Sequence, residues 1–214
     1  MNRFLSRILC VAMLCLAAGA RAQSVEDAYR MVEPPQPTMS GDGRIEVVEF
    51  FWYGCPHCYA FEPFLENWLK NKAADVDFRR VPAVLNKSWI PHARAYYTAE
   101  KLGILGKIHT PLFDALHRDR KRIYTESELK DFFSGFGVDG ATFDANYGSN
   151  EVDTRIKQAF LLAQSYRVMG VPTIIVNGKY EITGTLAGSF ENMIKAMDML
   201  IARERAAMAP PAAN

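Results

Sequence analysis

The spacing of hydrophobic positions changes along the chain and separates strand-like segments from helix-like ones. Residues 45–52 are apolar on both alternating faces, which is typical of a central β-strand covered on both sides. Residues 76–81 resemble a second strand. Residues 170–176 and 179–183 flank Asn177 and Gly178, a dipeptide that favours a hairpin turn between apolar runs. Residues 29–32 predict a short edge strand, because the prolines that follow prevent regular pairing.

A long segment between these strands has a different period. From residue 88 to about residue 167, apolar residues recur at roughly every third or fourth position, as on the buried faces of helices. Thr125 and Glu128 form a capping box before one such run. We therefore predict an all-helical insertion at residues 88–160, flanked by two parts of one α/β domain at 23–87 and 161–214. A last helix at 190–203 precedes a tail that is expected to fray from residue 206.

Two cysteines lie where the first long strand meets a helical pattern. Cys55 and Cys58 are separated by Pro56 and His57. Unpaired N–H groups and a partial positive charge at a helix start favour a thiolate, so we predict a lowered pKa and a nucleophilic role for Cys55. Cys58 lies almost one turn later and closer to the interior, which makes it the predicted resolving thiol. A protonated His57 would add a positive charge beside the Cys55 thiolate.

Two other interpretations of the cysteine pair are weaker. A structural zinc site needs four ligands, and the remaining cysteines, Cys10 and Cys15, lie in an N-terminal segment that we expect to be removed. A purely structural disulfide is disfavoured, because closing so short a loop removes little entropy from the unfolded chain. We therefore predict a redox-active disulfide that needs no metal and no separate cofactor.

The central strand carries two carboxylates that its apolar pattern does not explain. Glu46 and Glu49 point to opposite faces of the sheet, so at least one of them should be shielded near the cysteines. Glu49 is either a proton relay for Cys58, with a pKa raised by burial, or a carboxylate at a wet edge. Glu62 lies four residues after Cys58 on the same helical face, where a solvated position is the simpler interpretation.

Composition and the N-terminus narrow the functional class. The chain has 214 residues, of which 49% are hydrophobic, and a formal charge of +1 argues against a nucleic-acid partner. Residues 1–22 contain Arg3 and Arg7, an apolar stretch and a small-x-small ending, which together predict a secretory signal peptide. No other stretch is apolar enough to span a membrane. The mature chain is then expected in an oxidising compartment, with Cys55 and Cys58 as its only cysteines.

The strand, the cysteine pair and a later Val-Pro-Thr resemble the thioredoxin superfamily, and within it the periplasmic DsbA family of thiol:disulfide interchange proteins. The similarity is carried by residues 48–51, 55–59, 61–62 and 170–173. It implies an α/β thioredoxin-like fold interrupted by an all-helical domain, in a periplasmic monomer. It also implies unfolded exported proteins as substrates and reoxidation by a membrane quinone-linked oxidase, DsbB. Some members pair the strand acid with a buried basic residue, and Arg79 and Arg80 occupy that neighbourhood here.

The chemistry that this resemblance implies is disulfide donation. A substrate thiolate attacks Cys55 in the Cys55–Cys58 disulfide and releases Cys58, and a second substrate thiol then expels Cys55 as a thiolate. Reductases and isomerases share the superfamily, but its isomerases resemble dimers with an added N-terminal domain, for which residues 23–44 are too short. A redox-inert chaperone that binds clients through its helical segment is an alternative of a different class.

Two further predictions concern the surroundings of the pair. The Val171–Pro172 peptide bond is expected to be cis and to lie against the cysteines, where the Val171 backbone can pair with an extended client chain. The groove around Cys55, His57 and Pro172 is expected to be ringed by apolar side chains. The aromatic residues that flank the motif are Trp52, Tyr53 and Tyr59.

Overall fold

A five-stranded mixed sheet forms the centre of the protein. The computed structural model describes residues 25–41 and 43–208, so the predicted signal peptide and the end of the tail lie outside the described residues. The strand order is β1-β5-β4-β2-β3. The strands are β1 (Tyr29–Met31), β2 (Ile45–Phe51), β3 (Val76–Pro82), β4 (Thr173–Val176) and β5 (Tyr180–Thr183).

The central position of β2 explains its sequence. This strand pairs in parallel with β3 and antiparallel with β4, and all of its residues are buried. Helices and loops cover both faces, which is why no alternation with polar residues is seen. The predicted hairpin is present between β4 and β5, and Asn177 and Gly178 both have positive φ angles, as a type I′ turn requires. The predicted edge strand β1 pairs with β5.

Most of the helices lie between β3 and β4, as the period of the sequence predicts. Helix α1 (Pro56–Asn71) follows β2, and two helices, α7 (Gly184–Ala187) and α8 (Phe190–Met208), follow β5. Two short 3-10 helices span Val25–Asp27 and Lys87–Trp89. The helices of the insertion are α2 (Ile90–Lys101), α3 (Leu105–His117), α4 (Glu126–Ser134), α5 (Gly140–Tyr147) and α6 (Asn150–Ser165). The boundary predicted at residue 160 therefore falls inside α6.

The C-terminal helix is longer than the sequence predicts. Residues 206–208 belong to α8, where the pattern indicates a frayed tail. Glu204 holds this end of the helix, because it is 2% exposed and accepts hydrogen bonds from Asn177, Lys179 and Tyr180. A hydrogen bond to a charged group contributes about 1.5–3 kcal/mol, so these contacts help to offset the cost of ordering the end of the helix.

The apolar core lies on both faces of the sheet and reaches the helical insertion. Val47 of β2 packs with the residues beneath α8, whereas Phe51 belongs to the core shared with the insertion. The Phe51 ring lies 5.4 Å from the Tyr96 ring of α2 and 5.9 Å from the Phe113 ring of α3. Burying one such side chain stabilises a fold by about 1.5–3 kcal/mol. The insertion is thus packed onto the end of β2 that precedes the cysteines.

No helix between residues 25 and 208, apart from the undescribed position 42, combines the length and apolarity required to cross a bilayer.

Candidate active site

The two cysteines lie at the start of α1, directly after β2. Cys55 is the N-cap residue of the helix and Pro56 lies in its first turn, which confirms the predicted strand-to-helix junction. The backbone N–H of Cys58 donates a hydrogen bond to the Cys55 sulfur over 3.4 Å. Both residues are free thiols, and Cys55 is 7% exposed whereas Cys58 is completely buried. Only the first thiol is therefore within reach of a substrate.

The pKa values of the two thiols move in opposite directions. The pKa of Cys55 is lowered to about 6, chiefly by a hydrogen bond from the Cys58 side chain and, against the effect of burial, by the N–H groups of Cys58 and His57. Burial raises the pKa of Cys58 well above its ordinary value, and the charges of Cys55 and Glu49 raise it further. At neutral pH the pair therefore holds a thiolate at Cys55 and a thiol at Cys58.

His57 and the loop before β4 surround the accessible sulfur. His57 is exposed, and its charge lowers the pKa of Cys55 less than the hydrogen bonds do. The Val171–Pro172 peptide bond is cis, which confirms the prediction. The Cys55 sulfur lies 3.4 Å from the Val171 carbonyl oxygen, to which it donates in its thiol form, so the loop lies against the cysteines. Pro172 is buried and Val171 is half-buried.

Beneath the cysteines, one guanidinium group binds three carboxylates. Arg80 on β3 donates from Nε to Glu49 over 3.0 Å, and from Nη2 to Glu62 over 3.2 Å and to Glu66 over 2.8 Å. Glu49 is completely buried and Glu62 is 7% exposed. Three negative charges against one positive charge would leave the cluster with two uncompensated charges in a buried place, so it is expected to retain a proton.

Glu49 is the residue that holds this proton. Burial raises the pKa of Glu49 to about 8, although the charge of Arg80 opposes the change. Burial also acts to raise the pKa of Glu62, but hydrogen bonds and charges from His109 and Arg80 outweigh it, and that pKa is lowered. Glu49 is therefore not a carboxylate at a wet edge. The interpretation of Glu62 as solvated is wrong, because α3 and Arg80 cover it.

Three histidines of the insertion contact Trp52 and Tyr53, the two residues that follow β2. Nδ1 of His109 lies 2.8 Å from the Tyr53 hydroxyl, and Nε2 of His117 lies 2.7 Å from the Tyr53 carbonyl oxygen. The His92 ring lies 5.9 Å from the Trp52 ring and 6.1 Å from that of Tyr53. The sequence contains no motif that marks these histidines: His92 lies on α2, and His109 and His117 lie on α3 eight residues apart. They hold the segment between β2 and Cys55 in place.

A pocket of about 780 Å³ opens beside the cysteines, and we call it the active-site pocket. Its lining includes His57, Val171 and Pro172, together with charged Arg30 and Glu181. Its large apolar residues are Phe64, Met169, Leu186 and Phe190. The flanking aromatic residues of the sequence prediction do not belong to this lining: Tyr53 is buried, Trp52 stacks on Trp89, and Tyr59 stacks on His117.

The raised pKa of Glu49 predicts how stability varies with pH. Folded Glu49 keeps its proton up to about pH 8, whereas the unfolded residue releases it near its ordinary value of 4.5. The free energy of unfolding of the reduced protein should therefore fall as the pH rises from about 4.5 to about 8, by up to about 1.4 kcal/mol per pH unit. Glu49→Gln should remove this part of the slope, measured by urea denaturation across the range.

Glu66→Gln is the matched control for that experiment. It removes a carboxylate from the same cluster, but at a side chain that is 43% exposed. The slope should persist in this variant. An unchanged slope in Glu49→Gln would show that another group holds the buried proton.

Comparison with known protein families points to one family. The model of the DSBA-like thioredoxin domain matches residues 76–197, which is more than half of the chain. Among the described residues, no group of three or more histidine, cysteine, aspartate or glutamate side chains is arranged to hold a metal ion. The match covers β3, the insertion, β4, β5 and the first part of α8, and it begins after α1, so the cysteine pair lies outside it.

Individual relatives extend the similarity to nearly the whole chain. The thiol:disulfide interchange protein DsbA of Azotobacter vinelandii is 42% identical over 197 residues, which are 89% of this chain and 92% of the relative. The protein of that name from Pseudomonas aeruginosa is 41% identical over 96% of this chain and 98% of its own. The crystal structure of Pseudomonas aeruginosa DsbA has a TM-score of 0.79 at 42% identity, covering 85% and 94% of the two chains. That of the oxidoreductase DsbA from Xylella fastidiosa also has a TM-score of 0.79, at 39% identity over 86% and 98%.

Proposed function

The chain belongs to the DsbA family of thioredoxin-like thiol:disulfide oxidoreductases, and on that premise we propose that it donates a Cys55–Cys58 disulfide to unfolded exported proteins. The observation that carries the proposal is the opposite displacement of the two thiol pKa values, with that of Cys55 at about 6. A disulfide donor must stabilise its reduced form. The Cys55 thiolate, which exists only in that form, is what this site stabilises.

The size of this effect follows from the pKa. A thiol with a pKa of about 6 instead of 9 stabilises the reduced, folded protein at pH 7 by about 1.4 kcal/mol. For a two-electron couple, this free energy corresponds to about 30 mV of oxidising potential. Because the folded pKa is the lower one, the stabilisation grows as the pH rises from about 6 to about 9 and disappears below about 6.

Each step of the proposed reaction uses a different part of the site. A client thiolate attacks the Cys55 sulfur, a mixed disulfide forms, and Cys58 leaves as a buried thiolate that needs a proton. Glu49 carries a proton at neutral pH and lies within electrostatic reach of Cys58, so it is the proposed donor. The second client thiol then attacks the client sulfur of the mixed disulfide, and Cys55 departs as a stable thiolate.

The client is proposed to lie in the active-site pocket. Its apolar lining suits the exposed side chains of an unfolded chain, and the Val171 backbone is placed to pair with an extended segment. His57 borders both the pocket and the sulfur. Pro172 lacks an N–H group and leaves space beside Cys55. Val171, Pro172 and His57 are the proposed contacts to the substrate.

The proposed setting is the periplasm, with the protein acting as a monomer. A donor must be reoxidised after each cycle, and its two reducing equivalents are proposed to pass to a membrane quinone-linked oxidase of the DsbB type. No nucleic acid takes part.

Two measurements on purified protein test the proposal. Titration of the ultraviolet absorbance of the thiolate should give a Cys55 pKa well below the value of about 8.5 for free cysteine. Equilibration with glutathione buffers should give a potential more oxidising than about −270 mV, the value for the reductant thioredoxin. A potential at or below that value would assign the protein to the reductases. Full cellular function of Cys55→Ser would instead assign it to the redox-inert chaperones.

A further inference from the structure

A second apolar surface adjoins the active-site pocket. Leu85, in the loop after β3, and Phe160, on α6, are 38% and 41% exposed. Both residues line two neighbouring pockets, of about 380 and 370 Å³. Ile156 lies in the first of these pockets and Met169 in the second. We call Leu85, Ile156, Phe160 and Met169 the α6 surface. Large exposed apolar side chains that cluster in this way are typical of binding sites.

Met169 connects this surface to the chemistry. It is 86% exposed and lines both the active-site pocket and the second of the two smaller pockets. The next residues along the chain lead to Val171, whose carbonyl oxygen accepts from the Cys55 thiol. A polypeptide that reacts at Cys55 and continues past Met169 would therefore reach the pocket that Leu85 and Phe160 line, together with Gln164 and Arg167.

The border of the α6 surface is positively charged. Lys87, Lys157 and Arg167 line its pockets, whereas their one acidic lining residue, Asp153, is already paired with Arg94. Arg167 lies just after the end of α6, and its φ angle of 52° closes the helix: the N–H groups of Arg167 and Val168 donate to the carbonyl oxygens of Gln164 and Ala163. An acidic group is the complementary partner.

We propose that the α6 surface is a second binding site for the client polypeptide, which takes apolar residues and an adjacent acidic group from the sequence that flanks the reacting cysteine. This inference rests on the proposed function, because it presumes that Cys55 reacts with an unfolded chain. A client that contacts both the active-site pocket and the α6 surface is held near the Cys55 sulfur. Because only some client sequences can make the second contact, the α6 surface favours those clients without altering the reactivity of the cysteines. Lys87 and Lys157 would select acidic over basic flanks.

Synthetic two-cysteine peptides test the proposal directly. One peptide carries no extension, or arm, beside its cysteines. Two peptides carry the acidic arm Leu-Phe-Glu-Asp, one on the N-terminal side of the cysteines and one on the C-terminal side. Two further peptides carry the basic arm Leu-Phe-Lys-Lys at the same two places. The measured quantity is the second-order rate constant for reduction of the oxidised protein by each peptide. For each protein variant it is divided by the rate constant for the armless peptide, so that differences in Cys55 reactivity between variants cancel. The wild-type protein should react about tenfold faster with an acidic-armed peptide.

Variants of the protein test whether the acceleration depends on the α6 surface. Phe160→Ser should remove most of the acceleration, and the double variant Lys87→Glu/Lys157→Glu should shift the preference from acidic to basic arms. Leu161→Ser is the matched control, because Leu161 is 52% exposed and adjacent on α6 but lines a different pocket, beside β3. It should keep the acceleration.

The outcomes that would overturn the inference are distinct from failure of the proposed function. Equal rates with and without arms, or equal losses in Phe160→Ser and Leu161→Ser, would overturn the second client site. Sedimentation that shows a dimer dissolved by Phe160→Ser would assign the surface to a second copy of the chain instead. Failure of the wild-type protein to oxidise dithiothreitol, which is too small to reach Phe160, would contradict the proposed function itself.

Discussion

Replacing Cys58 with alanine should trap the mixed disulfide between Cys55 and a single-cysteine client peptide for hours. In the wild-type protein, Cys58 attacks the Cys55 sulfur and expels the peptide thiolate in an intramolecular step. Positioned groups of this kind act at effective concentrations far above those of free thiols, so the lifetime of the mixed disulfide should increase on the order of a thousandfold or more. The lifetime can be followed by acid quenching and mass spectrometry.

The same variant should lose much of its Cys55 thiolate. The Cys58 side chain provides the leading hydrogen bond that lowers the pKa of Cys55. Without it, that pKa should rise by about one to two pH units, since a hydrogen bond to a charged group is worth about 1.5–3 kcal/mol. Cys58→Ser is the matched control, because its hydroxyl still donates while it cannot form a disulfide. Both variants should trap the client, but only Cys58→Ala should react slowly with iodoacetamide at pH 7.

Equal pKa values of Cys55 in the two variants would contradict this account. The thiolate would then owe its stability to the helix start and to the backbone N–H groups of Cys58 and His57 alone.

Replacing Arg80 with methionine should destabilise the protein by about 3–5 kcal/mol, the usual cost of removing one partner from a buried ion pair. At pH 7 Arg80 is the counter-charge for buried Glu62 and for the more exposed Glu66, and it also donates a hydrogen bond to the buried, protonated Glu49. The loss is a large part of the stability of a typical domain, about 5–15 kcal/mol. Urea denaturation at pH 7 measures it.

Arg79→Met provides the matched comparison on the adjacent residue. Arg79 is 30% exposed and pairs with a single buried carboxylate, Glu46, which also accepts from the Met39 N–H over 3.0 Å. This variant should therefore lose less stability than Arg80→Met. The penalty of Arg80→Met should also shrink at acidic pH, where the carboxylates it leaves behind take up protons. Equal losses in both variants at all pH values would mean that packing, not charge, is the role of Arg80.

Local patterns in the sequence predict much of the fold and the reacting atoms. The apolar run of β2, the Asn177–Gly178 turn and the Cys55–Cys58 spacing each depend on residues close together in the chain. The helical insertion follows from a change of period that persists over many residues. The cis bond before Pro172 also follows from its place ahead of a strand.

The remainder of the site depends on pairings that local patterns do not determine. Both Glu46 and Glu49 are buried, and each has its own arginine. The parallel register of β2 and β3 sets Glu49 opposite Arg80, whereas Arg79 lies opposite Val48 and reaches Glu46 diagonally. Glu62 is buried only because α3 packs over α1 and brings His109 to 3.5 Å from its carboxylate. The actual end of α8 depends on contacts made by Glu204 with the distant hairpin.

The contacts of Tyr53 bear on attempts to shorten or rebuild this protein. A minimal version that joins β3 directly to β4 would retain every strand and both cysteines. It would nevertheless leave the Tyr53 hydroxyl without its contact to His109 and the Tyr53 carbonyl oxygen without its contact to His117. It would also remove the Tyr96 and Phe113 rings that pack against the Phe51 ring. Grafting the Cys-Pro-His-Cys segment onto a simpler scaffold meets the same obstacle, so the smallest transferable unit includes α2 and α3 as well as the motif.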